Sequence, residues 1–186
     1  GKGITKIHKE SELSGAVIVA EKYSRSGNIV IEEFVSGNLY SHSAFIQDGA
    51  ILVDFFVDEY CTTYPYQVNS SCISHVLSED IKNNIRRNIH KIIKKLSLSD
   101  GLLHTQFIAD NINMWIIETM RRCPGDLYGA LIEKSTGFDY TRFYCNPLLN
   151  IKNIKNLKKN KTRYIARHTV SSVKKSIFRS FKCKAP

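Results

Sequence analysis

Between Ile116 and Asp126 the sequence sets a carboxylate, Glu118, two arginines, Arg121 and Arg122, and a Pro124-Gly125 step. These types suit anionic oxygens. A carboxylate can bridge hard cations, a guanidinium fork grips phosphate or carboxylate, and glycine lets backbone approach a ligand closely. Gln106 supplies a second oxygen donor a short way upstream. Residues 102–109 and 114–119 read as strands joined by the turn-type run Asp110-Asn111-Ile112-Asn113. Pairing them directly brings Gln106 and Glu118 within about 5 Å on one face. Asp126 falls at a helix start, where capping is its expected job. Cys123, beside Arg122, is a candidate for a lowered thiol pKa, but no general base lies near it in sequence and nucleophilic catalysis is not expected. The histidines are too dispersed for a metal cluster, and His75 alone stands in a long polar loop where it could touch substrate.

The elements that must position these groups are legible in the periodicity. Leu13, Ala16, Val17, Ala20 and Tyr23 recur at helical spacing over residues 10–24. Residues 28–35, 39–47 and 50–58 read as three strands of an antiparallel meander, the last two joined by Asp48-Gly49. Residues 62–75 show neither period and read as a loop long enough to cover a ligand. Ser78-Glu79-Asp80 opens a helix whose expected buried stripe is Ile81, Ile85, Ile89, Ile92 and Leu96. Residues 127–135 form a short helix closed by Gly137. The last segment reads as a loop over 150–161 and a hairpin with arms at 163–170 and 175–182.

The 186 residues are enough for one domain with a sizeable core. The formal charge of +10 is uneven: residues 147–186 hold twelve Lys and Arg with no acid, leaving 15 basic against 17 acidic residues elsewhere. Tyr164, Phe178 and Phe181 in that tail could stack on bases, yet no nucleic-acid motif frames them, so nucleic acid is not the expected partner. Five cysteines without Cys-x-x-Cys spacing indicate neither zinc nor a disulfide framework and fit a reducing cytoplasm. No apolar run approaches the roughly 18 residues of a membrane helix.

In order, a Gly1-Lys2-Gly3 loop, a helix, a strand ending Ile31-Glu32-Glu33-Phe34-Val35-Ser36-Gly37, a meander, a long helix, a Gln106 strand, a Glu118 strand and an Arg122-x-x-Gly125 turn resemble the C-terminal part of the ATP-grasp ligases. The likeness covers about residues 1–145 and is nearest in style to the carbamoyl-phosphate-synthase-like and amino-acid ligase branches. It implies an α+β fold, an antiparallel sheet with helices packed on one face, truncated at the N-terminus. Residues 1–146 would be the C-terminal portion of the ATP-grasp domain, with 147–186 appended. It further implies that Lys2 and Gly3 end the loop over the ATP triphosphate, that Glu32, Glu33, Phe34 and Val35 form the adenine hinge, that Gln106 and Glu118 hold Mg2+, and that Arg122 holds the phosphoryl group or acyl phosphate. The implied reaction joins a small-molecule carboxylate to an amine through an acyl phosphate, with ATP and Mg2+ as cofactors and a homodimer as a possible assembly.

Three departures accompany the likeness. Met120 stands where the family has a metal-binding Asn, and Leu39 where it has an acid for the ribose. Thioether sulfur is a poor magnesium ligand. The family's N-terminal domain and two upstream lysines are not in this sequence, so the chain is expected to be a fragment that binds ATP weakly by itself. The alternative is a degenerate module that binds nucleotide or a partner without turnover.

Overall fold

The structure, a computed structural model, describes residues 3–153, 163–172, 175 and 177–180. In chain order the elements are α1 (Leu13–Tyr23), β1 (Asn38–Gln47), β2 (Ala50–Tyr60), β3 (Ser70–Ile73), α2 (Glu79–Lys95), β4 (Gly101–Ala109), β5 (Met114–Met120), α3 (Tyr128–Thr136), α4 (Tyr140–Cys145) and β6 (Ala166–His168). The central hairpin forms where the turn chemistry demands it. Asp48 and Gly49 both take positive φ, 50° and 75°, the geometry that matches strand twist in a two-residue turn. All pairings are antiparallel, and the sheet runs β5-β4-β1-β2-β3-β6.

The sheet has a helix layer on each face rather than on one. Tyr40, Ala44 and Ile46 of β1 pack with Ile81, Ile85, Ile89 and Ile93 of α2. The intervening Phe45 packs with Tyr128, Leu131, Ile132, Tyr140 and Phe143 of α3 and α4. The reason is the period of two: a central strand that is apolar on both sides needs cover on both sides. The acidic cap places α2 as expected, with the Ser78 hydroxyl accepting from Ile81 N–H at 3.3 Å.

The C-terminus of α2 differs from the expected stripe. Leu96 is 63 % exposed while Ile93 is buried. Ser97 turns left-handed with φ 48°, Leu98 N–H donates to Ile93 O at 3.0 Å, and Ser97 N–H donates to Lys94 O at 3.4 Å. This is a Schellman closure, and it carries Leu98 back onto the core in place of Leu96. A non-glycine residue at that position is strained. Ser97→Gly is expected to stabilise the chain by about 1 kcal/mol, read as a higher urea midpoint at unchanged slope; a lower midpoint would contradict the strain.

Three further expectations are corrected. Residues 28–35 are in no strand, because nothing described pairs with them; Val30 and Ile31 are 83 % and 66 % exposed. β-Branched composition favours extension, but a ladder needs a neighbour. The expected loop over 62–75 contains β3, held to β2 from Val57↔Ile73 to Tyr60↔Ser70. Among the described residues the expected tail hairpin has no second strand; β6 pairs instead with the free edge of β3, through Ser71↔Arg167. Residues 175 and 177–180 are in no strand, and the rest of that arm lies outside the described residues, as do Gly1 and Lys2. α4 was not legible in the periodicity; its start is capped by Asp139, which accepts from Arg142 N–H at 3.0 Å.

Candidate functional site

Gln106 and Glu118 are directly opposed on β4 and β5. They open into a cleft of about 290 Å³ also lined by Glu59, His104, Met120, Arg122, Pro124, Gly125 and Asp126. The register explains how a strand that packs the core also serves the cleft. Phe107 pairs with Ile116 and Gln106 with Glu118, so Ile117 is an extra residue, a β-bulge. Met114 and Ile116 face α2 and its core. Strict alternation would send Glu118 the same way; the bulge turns it to the other face, beside Gln106. Of the two arginines, Arg121 is structural: its Nη2 donates to Ser99 O at 2.8 Å and Asp100 O at 2.9 Å. Arg122 lines the cleft and is tied only locally, Nη1 to Cys123 O at 3.3 Å.

Two groups in this region escaped the sequence reading. Glu59, at the end of β2, is 7 % exposed, and Gln106 Nε2 donates to its Oε2 at 2.6 Å. Burial raises the Glu59 carboxyl above its ordinary value, hydrogen bonds from Ser41 and Gln106 oppose this, and the Asp126 charge adds to the rise. The signal was the Asp58-Glu59 pair near the end of β2, where a strand covered on both faces buries both acids. The second is Arg167 on β6, whose side chain is 9 % exposed. Its Nε donates to Ser71 Oγ at 2.9 Å and its Nη2 lies 3.0 Å from Asp126 Oδ2, near enough for an ion pair though poorly aligned for a hydrogen bond. It could not be placed because its partner strand β3 read as a loop. Asp126 accordingly does not cap α3, whose first residue is preceded by Leu127 in a left-handed conformation. Burial raises the Cys123 thiol rather than lowering it, which leaves no activated nucleophile there.

The structure brings Gln106, Glu118 and Arg122 to one cleft, and leaves Gly3 and residues 32–35 outside its lining. Glu32 and Glu33 are exposed, and Phe34 lies under the Lys6 ammonium, 3.6 Å from its ring centroid. A larger, shallower hollow of about 910 Å³ between β2 and α2 lies on the other face and gathers no converging oxygen donors beyond Asp54, which is already engaged. Among the described residues no group of three or more His, Cys, Asp or Glu could hold a metal ion. One carboxylate and one amide oxygen would fit a magnesium ion that arrives with phosphates, its remaining positions left to phosphate and water, as that ion favours. Met120, opposite His104, adds no oxygen.

Two buried histidines fix the acid stability. His104, hydrogen-bonded to Ser43 at 3.0 Å, has its pKa lowered to about 3 by burial, with the Arg122 charge adding to the shift. His42 is also lowered by burial, so its Nε2 contact with Asp54 at 2.9 Å is a hydrogen bond from a neutral ring, and the ion pair is Asp54 with Arg86 at 2.7 Å. Burial would raise Asp54, but these two hydrogen bonds outweigh it and bring it to about 2. For all three groups the folded value lies below the unfolded one, so their stabilisation is complete above the unfolded value and is lost as pH falls. Glu59 has the opposite sign, contributing below its ordinary 4.5 and losing that as pH rises. Lowering pH from 6.5 to 4.5 is expected to cost about 2–3 kcal/mol through His104 alone. Urea unfolding at the two pH values checks this; equal midpoints would show that the histidines are solvated.

No family model and no curated relative matches this sequence. Solved structures do resemble it. The biotin carboxylase domain of Hydrogenobacter thermophilus 2-oxoglutarate carboxylase, solved as a dimer with MgADP, ADP and bicarbonate, superposes with TM-score 0.69 at 18 % identity over 89 % of this chain and 38 % of that one. Biotin carboxylase from Campylobacter jejuni, solved as a β,γ-ATP complex, gives 0.67 at 16 % identity over 87 % and 37 %. Phosphoribosylglycinamide synthetase from Anaerococcus prevotii gives 0.61 at 18 % over 77 % and 37 %. The chain thus spans less than two-fifths of the length of each. Among the described residues no helix is long and apolar enough to cross a membrane. An antiparallel sheet clad by helices on both faces, matched at this level to such enzymes over most of its length, identifies the chain as having the ATP-grasp fold, in the part those structures share with it.

Proposed function

We propose that the cleft is the phosphate end of the site of an ATP-dependent carboxylate ligase, in which a carboxylate attacks the γ-phosphate and an amine displaces phosphate from the resulting acyl phosphate. The observation that carries this reading is the direct opposition of Gln106 and Glu118 on the wall of a cleft shared with Arg122. Gln106 and Glu118 would hold magnesium, which when bound neutralises charge building on the transferred group. Arg122 grips the phosphoryl oxygens or the acyl phosphate with its planar fork. Arg167, pinned by Asp126 and Ser71, keeps a positive charge within electrostatic reach of Glu59. Lys2 and Gly3 would cover the triphosphate, and residues 32–35 meet the adenine edge. The share of these groups is positioning and fixed electrostatics rather than covalent chemistry.

Met120 in the cleft wall favours a second reading, a module that binds nucleotide without turnover. Titrating magnesium-ATP into the full gene product, then following ADP release over a panel of carboxylates with and without amine, separates the two. The ligase reading expects magnesium-dependent binding and carboxylate-dependent ADP release. Binding with no such release selects the module, and absence of magnesium-dependent binding rejects both.

A further inference from the structure

We propose that Glu59 is a positioning residue that fixes which end of the Gln106 amide faces the cleft, and so makes Gln106 an oxygen ligand for a divalent cation; this rests on the reading of the cleft given above. A primary amide has two ends of nearly equal shape, one a donor and the other an acceptor. Only the oxygen end can hold a cation. The backbone at Gln106 does not choose between them, but its neighbour does. Nε2 donates to Glu59 Oε2 at 2.6 Å. An ionised carboxylate has acceptors alone, so it takes the NH2 end and refuses the oxygen. Oε1 accepts no hydrogen bond among the described residues, and Gln106 is the residue directly opposite Glu118.

The contact depends on a gap in the sheet surface. β2 and β4 flank β1, about 10 Å apart at two strand spacings. Glu59 and Gln106 meet over β1 at Ser41, the residue paired with Gln106, whose small side chain is fully buried beneath them. With Glu59 7 % exposed, water competes little for the bond.

The test measures Mn2+·ATP binding to the full gene product by the enhanced water-proton relaxation that protein-bound Mn2+·ATP gives over the same complex free in solution, which requires no turnover. Glu59→Gln, nearly isosteric, is able to accept or donate and so releases the amide to either orientation; Glu59→Met replaces it should the first variant lose its near-UV spectrum. Either is expected to weaken Mn2+·ATP binding by about tenfold or more, the range for partners that orient metal ligands. Gln106→Leu should weaken it similarly, and adding Glu59→Gln to Gln106→Leu should cost nothing further, because Glu59 acts through the amide. Wild-type affinity in Glu59→Gln, alongside loss in Glu118→Gln, would overturn the proposal and leave the cleft reading standing. So would an equal cost of Glu59→Gln with and without Gln106. No Mn2+·ATP binding by the wild type would overturn both.

Discussion

Ile89→Ala is expected to destabilise the chain by about 4 kcal/mol, close to the upper range for removing an aliphatic side chain from a core that cannot collapse around the gap. Ile89 is fully buried in the α2 stripe, between Ile85 and Ile93 and against the sheet. A domain of this size holds in total about 5–15 kcal/mol, so the variant would unfold at much lower urea with an unchanged slope. Leu96→Ala is the internal control. By helical angle Leu96 belongs to the same stripe, yet it sits at the cap, 63 % exposed, and should change stability by no more than about 0.5 kcal/mol. Equal losses at the two positions would mean that the Schellman closure and the burial of Leu98 are wrong.

If the cleft works as proposed, Glu118→Gln should lower carboxylate-dependent ADP release by the full gene product on the order of a hundredfold or more, since it would remove the charged oxygen donor opposite Gln106 and with it much of the charge stabilisation a metal gives a phosphoryl group. The exposure of Glu118 makes the change cheap for the fold, so near-wild-type stability should accompany the loss. Arg121 and Arg122 sharpen the comparison. Arg122→Ala should impair the same reaction, whereas Arg121→Ala should leave turnover intact while loosening the contact with Ser99 and Asp100. If Arg121 proved the more important for turnover, the cleft would have been assigned to the wrong arginine.

Much of this was readable before any coordinates. Local signals that agree with tertiary demand survived: the Asp48-Gly49 turn, the Ser78 cap, the pairing of the strands that carry Gln106 and Glu118. What failed depended on partners distant in sequence. Val30 and Ile31 have strand composition but no neighbour, while Ser70–Ile73 has poor strand composition and two neighbours, β2 and β6. Arg167 reaches Asp126 across the chain only because β6 lands on β3. Phe45 and Ala44, adjacent in sequence, belong to opposite cores, which a single buried face does not anticipate. Glu59 was missed although the Asp58-Glu59 pair stands at the end of β2, because what gives it a role is Gln106, two strands away in the sheet.

The unpaired Ile117 lets one short strand obey two sets of constraints. Upstream of it, Met114 and Ile116 answer to hydrocarbon packing; downstream, Glu118 and Met120 answer to solvent and ligand. Because the phase shift lies between them, drift in the packed half can track changes in α2 without altering which groups the other half offers. The side chains at 118 and 120 are therefore set by the cleft they line rather than by the α2 core.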